Sequence, residues 1–372
     1  MELVEFVKKD YLLVISAILA VISLFIVPFD TVLNYEYMRI LKTICILLCF
    51  LLIVAGLKEC KALNLLAHKA LSNIKTTTGL CLVLIALPFF CAMLFSNDVA
   101  VLTFVPLALA TIGIANTKWL LALVVVLQSV AANVGSFLTP FGNPHNLYIY
   151  SLHDYYGFSL WEYEMALIPI VIVGITVLIA IALLLPKKDL PVNLEKDVGL
   201  EHKGCLWIIG ALMVISIATV LDFIPFYISI VILIVAFLIM MPKIFRKVDY
   251  SILFIFFFLF IFANGITSLE IIYDTLKNLI SMDPMLTTVL VSQFTSNVPS
   301  TILLQPFTDN WEAIVVGADI GGFGTPIASM VNIIAIKLYL SEEGTTIRGY
   351  LKPFIAINLL MLAVLIPTYY IF

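Results

Sequence analysis

Two stretches of this chain gather the residue types that can hold a small ion inside an apolar protein. The first is Gly135-Ser136-Phe137-Leu138-Thr139-Pro140-Phe141-Gly142-Asn143-Pro144-His145-Asn146, and the second is Gly321-Gly322-Phe323-Gly324-Thr325-Pro326, leading to Asn332. Each interrupts an apolar run, and clustered Gly, Thr-Pro and Asn-Pro break a helix. A broken helix frees backbone groups: the C-terminus of a half-helix offers oxygens to a cation, and the N-terminus offers amides to an anion. Thr, Ser and Asn side chains add neutral oxygens, the ligands that a hard cation such as sodium takes. A shift of 186 positions, from 135 to 321, lays Gly135, Phe137, Thr139, Pro140 and Asn146 on Gly321, Phe323, Thr325, Pro326 and Asn332. The two breaks are therefore read as copies of one unit, and interrupted segments at matching places in two halves point to the binding site of a secondary transporter.

Two further polar tripeptides divide apolar runs. Ser96-Asn97-Asp98 lies between 78–95 and 99–115, and Ser296-Asn297-Val298 between 285–295 and 299–307. The second pair of arms is too short for two crossings, so each pair is predicted to be a re-entrant hairpin. Irregular backbone at such a tip is tolerated only inside protein or against a water-filled cavity. Tips and breaks together predict two sodium cages. One is built from Ser96, Asn97, Gly135, Thr139 and Asn143; the other from Ser296, Asn297, Gly321 and Thr325, with Ser329 as a further candidate. The solute is expected at Ser96, Asn97, Asp98, Ser136, Thr139, Ser296, Asn297 and Pro326. The competing reading is that Gly, Ser and Thr merely let helices pack closely; recurrence of the whole pattern in both halves favours a site.

Three ionisable residues fall in these segments. A carboxylate at mid-bilayer costs about 2.5–3.5 kcal/mol on insertion scales and is a functional candidate by default. Asp98 either caps the second hairpin arm or binds a cation or proton. Asp319, which aligns with Asn133, either binds sodium or a proton or hydrogen-bonds freed amides. His145 is either a proton site or a satisfied polar residue. Asp309 and Glu312 are read as outer-surface residues, and His68 as part of a solvated helix face.

The elements that must position these residues are membrane helices. The chain is 63% hydrophobic and 12% charged, with a mean hydropathy of +1.14, against roughly half and a quarter in a soluble domain. The fold class expected is an all-α polytopic membrane protein in the cell membrane, with the N-terminus in the cytoplasm. Spanning runs are 11–27, 39–57, 120–150 (broken), 161–185, 205–221, 225–241, 250–268, 311–340 (broken) and 351–372. Counting each hairpin as no crossing leaves only Arg39, Lys42 and Lys277, of 20 Lys and Arg, outside, as the positive-inside rule requires. The extra span 205–221 inverts the second repeat relative to the first. Regions follow: 1–75 scaffold spans of repeat 1, 76–186 its hairpin, broken helix and final span, 187–204 a cytoplasmic linker, 205–282 scaffold spans, and 283–372 the hairpin, broken helix and final span of repeat 2. Residues 57–75 read as an amphipathic helix on the inner surface. The six cysteines show no Cys-x-x-Cys and read as small core residues.

The order of a Ser-Asn-Asp tip, a Gly-Ser-x-x-Thr-Pro-x-Gly-Asn-Pro break, a Ser-Asn-Val-Pro tip and a Gly-Gly-x-Gly-Thr-Pro break resembles the ion transporter superfamily over nearly the whole chain. That group includes divalent anion:sodium symporters, citrate carriers, arsenite permeases and a class of sodium/proton antiporters. The resemblance implies that the tips bind sodium and substrate carboxylates, that the protein is a homodimer, and that hairpins and broken helices move as a unit against a fixed scaffold. In the dicarboxylate symporters each tip reads Ser-Asn-Thr; here the third positions are Asp98 and Val298.

The function expected is elevator-type symport of a small anion, such as a di- or tricarboxylate, coupled to sodium or protons. The alternatives are sodium/proton antiport through Asp98 and Asp319, and arsenite efflux, for which no cysteine falls at the expected sites. Enzymatic activity is not expected: the chain has no His-Glu-x-x-His or Gly-x-Ser-x-Gly, and only four histidines, His68, His145, His153 and His202. The Gly-Gly-x-Gly at Gly321 lacks the Lys and strand–turn–helix setting of a phosphate loop. No cofactor beyond the coupling ion and no nucleic-acid partner are expected; the partners are a small anionic solute, the bilayer and a second copy.

Overall fold

Long apolar runs have no water to satisfy their backbone in a bilayer, so they close their hydrogen bonds internally as helices. The computed structural model describes residues 11–372 except 29, 31, 33, 34, 36, 72, 73, 115–119, 189–198, 200 and 268. Those residues form helices and turns, with no strand among them. In chain order the helices are α1 (Tyr11–Ile26), α2 (Tyr37–Glu59), α3 (Ala62–Leu71), α4 (Thr77–Leu94), α5 (Asn97–Ile114), α6 (Leu121–Phe137), α7 (Pro144–Tyr150), α8 (His153–Tyr156) and α9 (Leu160–Leu183). Then come α10 (Lys203–Val220), α11 (Phe226–Met240), α12 (Ser251–Thr267), α13 (Glu270–Met282), α14 (Pro284–Thr295), α15 (Asn297–Leu304), α16 (Trp311–Gly321), α17 (Met330–Leu340) and α18 (Ile347–Ile371). Among the described residues five helices (α2, α4, α9, α10 and α18) are long and apolar enough to cross a membrane, and α1, α5, α6, α11, α12 and α17 are shorter apolar helices. The protein is a multi-pass, all-α membrane protein.

Sequence sets the helix ends by capping. Ser159 and Glu162 form a reciprocal capping box at α9. Asp283 accepts the Leu286 amide at α14 (2.9 Å), and Asn310 accepts the Ala313 amide at α16 (3.0 Å). Pro144 opens α7, where its missing N–H removes nothing from the helix. Both hairpin second arms start earlier than expected, at Asn97 and Asn297; in α15 Pro299 falls in the first turn and is tolerated there. Asp98 consequently lies inside the first turn of α5, and its amide donates to Asn97 Oδ1 (2.9 Å). The N-cap role considered for Asp98 is thus not the one it takes. An amphipathic helix absent from the sequence reading, α13, precedes the second hairpin. It turns Tyr273, Leu276 and Ile280 to the core and leaves Asp274 and Lys277 exposed. It stands where α3 stands before the first hairpin. Most of the predicted linker, together with Lys8, Lys9, Lys118 and Lys196, lies outside the described residues.

The broken helices form the centre. Every residue of α6 from Val124 to Phe137 is buried, as is α16 from Ala313 to Gly321. Helix α4 lies against α6, and α14 against α16. Phe137 and Phe323, equivalent under the 186-residue shift, meet edge to face at 5.8 Å. Around this centre α1 packs on α12, and α2 packs on α10 and α11 through a second apolar cluster that includes Leu52, Ile53, Ile209, Leu233 and Phe237.

Both hairpin contacts depend on a missing side chain. A Cβ on Gly135 would run into the Phe89 backbone carbonyl, and one on Gly321 would lie 2.7 Å from Ser292 Oγ and 3.2 Å from Val289 Cα. Phe89 and Val289 are themselves related by the 200-residue shift that relates Ser96 to Ser296. Gly135→Val and Gly321→Val are expected to destabilise the protein by about 1–3 kcal/mol each through overpacking. Gly210→Ala, in the interior of α10 and meeting nothing within 4 Å, should not destabilise the protein and is expected to raise stability by up to about 1 kcal/mol. Thermal unfolding in detergent checks this, and unchanged midpoints for the first two would contradict the packing described.

Candidate functional site

The two hairpin tips converge on one cavity of about 330 Å3. Ser96 and Asp98 line it from the first tip, and Ser296, Val298 and Pro299 from the second. The α2 side contributes Phe50 and Lys58, the approach to α12 contributes Lys247 and Asp249, and the breaks contribute Phe141 and Met330. The wall is mostly apolar, with opposite charges balanced at one end: Lys58 and Lys247 against Asp98 and Asp249. Lys247 is also ion-paired to Glu59. Helices α5 and α15 both begin at the tips, so their N-terminal, positive ends meet there. Asn97 and Asn297 repeat one device: each side-chain oxygen accepts the next residue's amide, at 2.9 Å from Asp98 and 3.0 Å from Val298.

Behind the tips, polar side chains stitch the breaks to the hairpins. Asn97 Nδ2 donates to Asn133 Oδ1 (3.0 Å), which also accepts from Ser329 Oγ (3.3 Å), joining the first tip to the second break. Thr139 Oγ1 donates to the Met93 carbonyl (2.5 Å) and Thr325 Oγ1 to the Gln293 carbonyl (2.9 Å); Met93 and Gln293 are equivalent hairpin positions. Asn146 Nδ2 donates back to the Ser136 carbonyl (3.3 Å) and Asn332 Nδ2 to the Gly322 carbonyl (3.0 Å), again equivalent positions. Ser136 donates to the Asn133 carbonyl (2.7 Å) and accepts from Asn143 (3.3 Å). The breaks are therefore closed by their own side chains. The hydroxyl of a donating Ser or Thr keeps lone pairs.

The predicted residues divide into three groups. Ser96, Asp98 and Ser296 line the cavity; Asn97 and Asn297 are buried at the tips behind it. Ser136, Thr139, Asn143 and Thr325 tie the breaks, Gly135 and Gly321 permit close packing, and Pro326 opens a short 3-10 turn, Pro326–Ala328, apart from the cavity lining. His145 and Asp319 form a third group. Both are fully buried, with His145 Nε2 3.0 Å from Asp319 Oδ1, and Asn146 donates to Asp319 Oδ2 (3.3 Å). This ties the second half of one broken helix to the first half of the other. The reciprocal link is Ser129 Oγ donating to Asn332 Oδ1 (3.0 Å).

Sequence reasoning missed Gln293, Ser129, Lys58 and Asp249. Gln293 is the most consequential: its Nε2 donates to the carbonyls of Val289 (3.1 Å), Gly321 (3.0 Å) and Phe323 (3.0 Å), and its Oε1 accepts the Thr325 amide (2.9 Å). The signal available was its position three residues before Ser296, where the first hairpin carries Met93. Gln293→Leu keeps the volume and leaves a buried amide and carbonyls unpartnered, a loss of about 1–3 kcal/mol. Amide exchange is expected to quicken around Thr325 and to stay unchanged around Thr139; equal exchange at both would contradict this role.

Residues 4–310 match the model of a family described as citrate transporter. Over 298 residues, 80% of each chain, the protein is 33% identical to an uncharacterized transporter of Methanocaldococcus jannaschii. Over 292 residues, 77% of each chain, it is 25% identical to an inner membrane protein of Escherichia coli (strain K12). The family match ends before the second break, which the internal repeat alone identifies. With two hairpin tips and two interlocked breaks around one cavity, and with a match that spans most of its length, this chain belongs to the citrate transporter (CitMHS) family of membrane transporters.

Proposed function

We propose that the protein is a secondary active transporter that carries a small anion, of the di- or tricarboxylate class, together with sodium ions or protons. The observation that carries this reading is the meeting of two helix N-termini, α5 and α15, with Ser96 and Ser296 at a single cavity. The Asp98 and Val298 amides are already held by Asn97 and Asn297, so the attraction for a carboxylate comes from the two positive helix ends and the flanking hydroxyls. Neutral oxygens of Ser96, Asn97, Ser296 and Asn297, with carbonyls of the breaks, suit a monovalent hard cation beside that anion. Asp98 adds one negative charge at the cavity, opposite Lys58, and makes room for a cation to enter with the solute.

The two halves are inverted copies on this reading, each hairpin re-entering from its own side. The Lys and Arg distribution and the equivalent contacts at Thr139 and Thr325, and at Asn146 and Asn332, support it. The cavity end that carries Lys58 and Lys247 lies on the side assigned to the cytoplasm, so this conformer opens inward. Hairpins and broken helices move as one unit against α1, α2 and α10–α12, and a second copy completes a homodimer. A further reading, proton coupling or sodium/proton exchange, rests on the fully buried His145–Asp319 pair: an ionisable pair at membrane depth that lies away from the cavity wall suits a proton better than a large solute. Arsenite efflux has less support, because no cysteine lines the cavity.

Uptake of labelled citrate, succinate and sulfate into proteoliposomes tests the proposal. Uptake of one of them should depend on an imposed sodium or proton gradient. Ser96→Ala and Ser296→Ala should each lower it about tenfold, the effect of one lost hydrogen bond to an anion, without shifting the unfolding midpoint. Gradient-independent entry of every anion, or full activity in both variants, would refute it.

A further inference from the structure

We propose that His153, Asp154 and Asp222 form a binding site for a divalent transition-metal ion of the zinc class, separate from the transport cavity. His153 Nε2 lies 3.3 Å from Asp154 Oδ1 and 3.4 Å from Asp222 Oδ2, and the three ligand atoms all fall within 4.8 Å of one another. His153 Nδ1 is 3.0 Å from the Tyr150 carbonyl. A carbonyl only accepts, so Nδ1 carries a proton, and Nε2 is the ring atom that faces the two carboxylates. A histidine whose other N–H is held by a backbone carbonyl is the usual arrangement at a metal. His153 Nε2 stands from each carboxylate oxygen at the roughly 3.3–3.4 Å by which a tetrahedral ion with bonds of about 2.0–2.1 Å separates its ligand atoms, and the exposed Asp154 side chain closes the remaining gap by rotation. The ring is held in place by stacking on Tyr150 (5.0 Å between centroids, 11°), and Asp154 is 86% exposed, so water can complete the coordination. The Lys42 ammonium, 2.7 Å from Asp222 Oδ1 and 2.9 Å from Oδ2, is the cation that a metal ion has to displace.

The site joins two parts of the molecule. His153 and Asp154 belong to α8, which follows the first broken helix, whereas Asp222 lies in the turn between α10 and α11. If hairpins and broken helices move against α10 and α11, a clause that rests on the function proposed above, the bound ion tethers mobile and fixed parts and stops transport.

The test is thermal unfolding of the full chain in detergent with zinc or magnesium chloride, followed by uptake into proteoliposomes with zinc added outside. Zinc, and not magnesium, should raise the midpoint. Asp154→Asn, at an exposed position, and His153→Phe, which keeps the ring packing, should each abolish the shift. Lys42→Met should strengthen zinc binding about threefold by removing the adjacent positive charge. An unchanged shift in Asp154→Asn and His153→Phe, or no shift at about 1 mM zinc, would overturn the site. A zinc shift with uptake unaffected would keep the site and eliminate the tether.

Discussion

Backbone polar groups at mid-membrane have no water to turn to, and each one left unpaired costs several kcal/mol. That constraint governs the centre of this molecule. Two helices stop at Phe137 and Gly321 and resume at Pro144 and Met330. The carbonyls released between them are taken up by Asn146 and Asn332, one break turning its own second half back on its first. Thr139 and Thr325 then bind each break to a hairpin carbonyl. Hairpin and break thus close each other's backbone.

The solutions in the two halves are alike but not identical. The shift is 186 residues for the breaks and 200 for the tips, because α5 is 18 residues and its counterpart α15 only 8, and because α6 runs four residues further than α16 before its break glycine. The Gln293 side chain holds the second break with three hydrogen bonds where Met93 offers the first only a carbonyl. Asp319 stands where the first half has Asn133, and it is met by His145 and Asn146 from the other half. The halves therefore carry different polar groups on a shared scaffold: Asn133 links a tip to Ser329, whereas Asp319 is hydrogen-bonded to His145 in a fully buried pair. A buried pair is weak evidence for stability in itself, but removing one partner leaves an uncompensated group, so the two breaks are held together as well as closed.

Much of this was legible in the sequence because helix breakers in apolar runs have few alternative explanations. The 186-residue shift located both breaks, and the Ser-Asn dipeptides located both tips. Three features were not legible, each for a physical reason. The start of α5 at Asn97 depended on local side-chain capping, which placed Asp98 inside the helix instead of at its cap. Helix α13 is too short and too polar to stand out beside spanning runs, although its Tyr273, Leu276 and Ile280 spacing marks one buried face. The partners of Gln293 and Asp319 lie 28 to 174 residues away, and nothing in local pattern reveals such pairings.

The account stands on the two tips sharing one solute. Its most direct measurement is the reaction rate of a small thiol reagent with Ser96→Cys and with Ser296→Cys, in a background lacking the native cysteines, with and without the transported anion. The account predicts that the same anion protects both positions, with protection strengthened by the coupling ion. Protection of one position alone, or of neither at saturating anion, would contradict it.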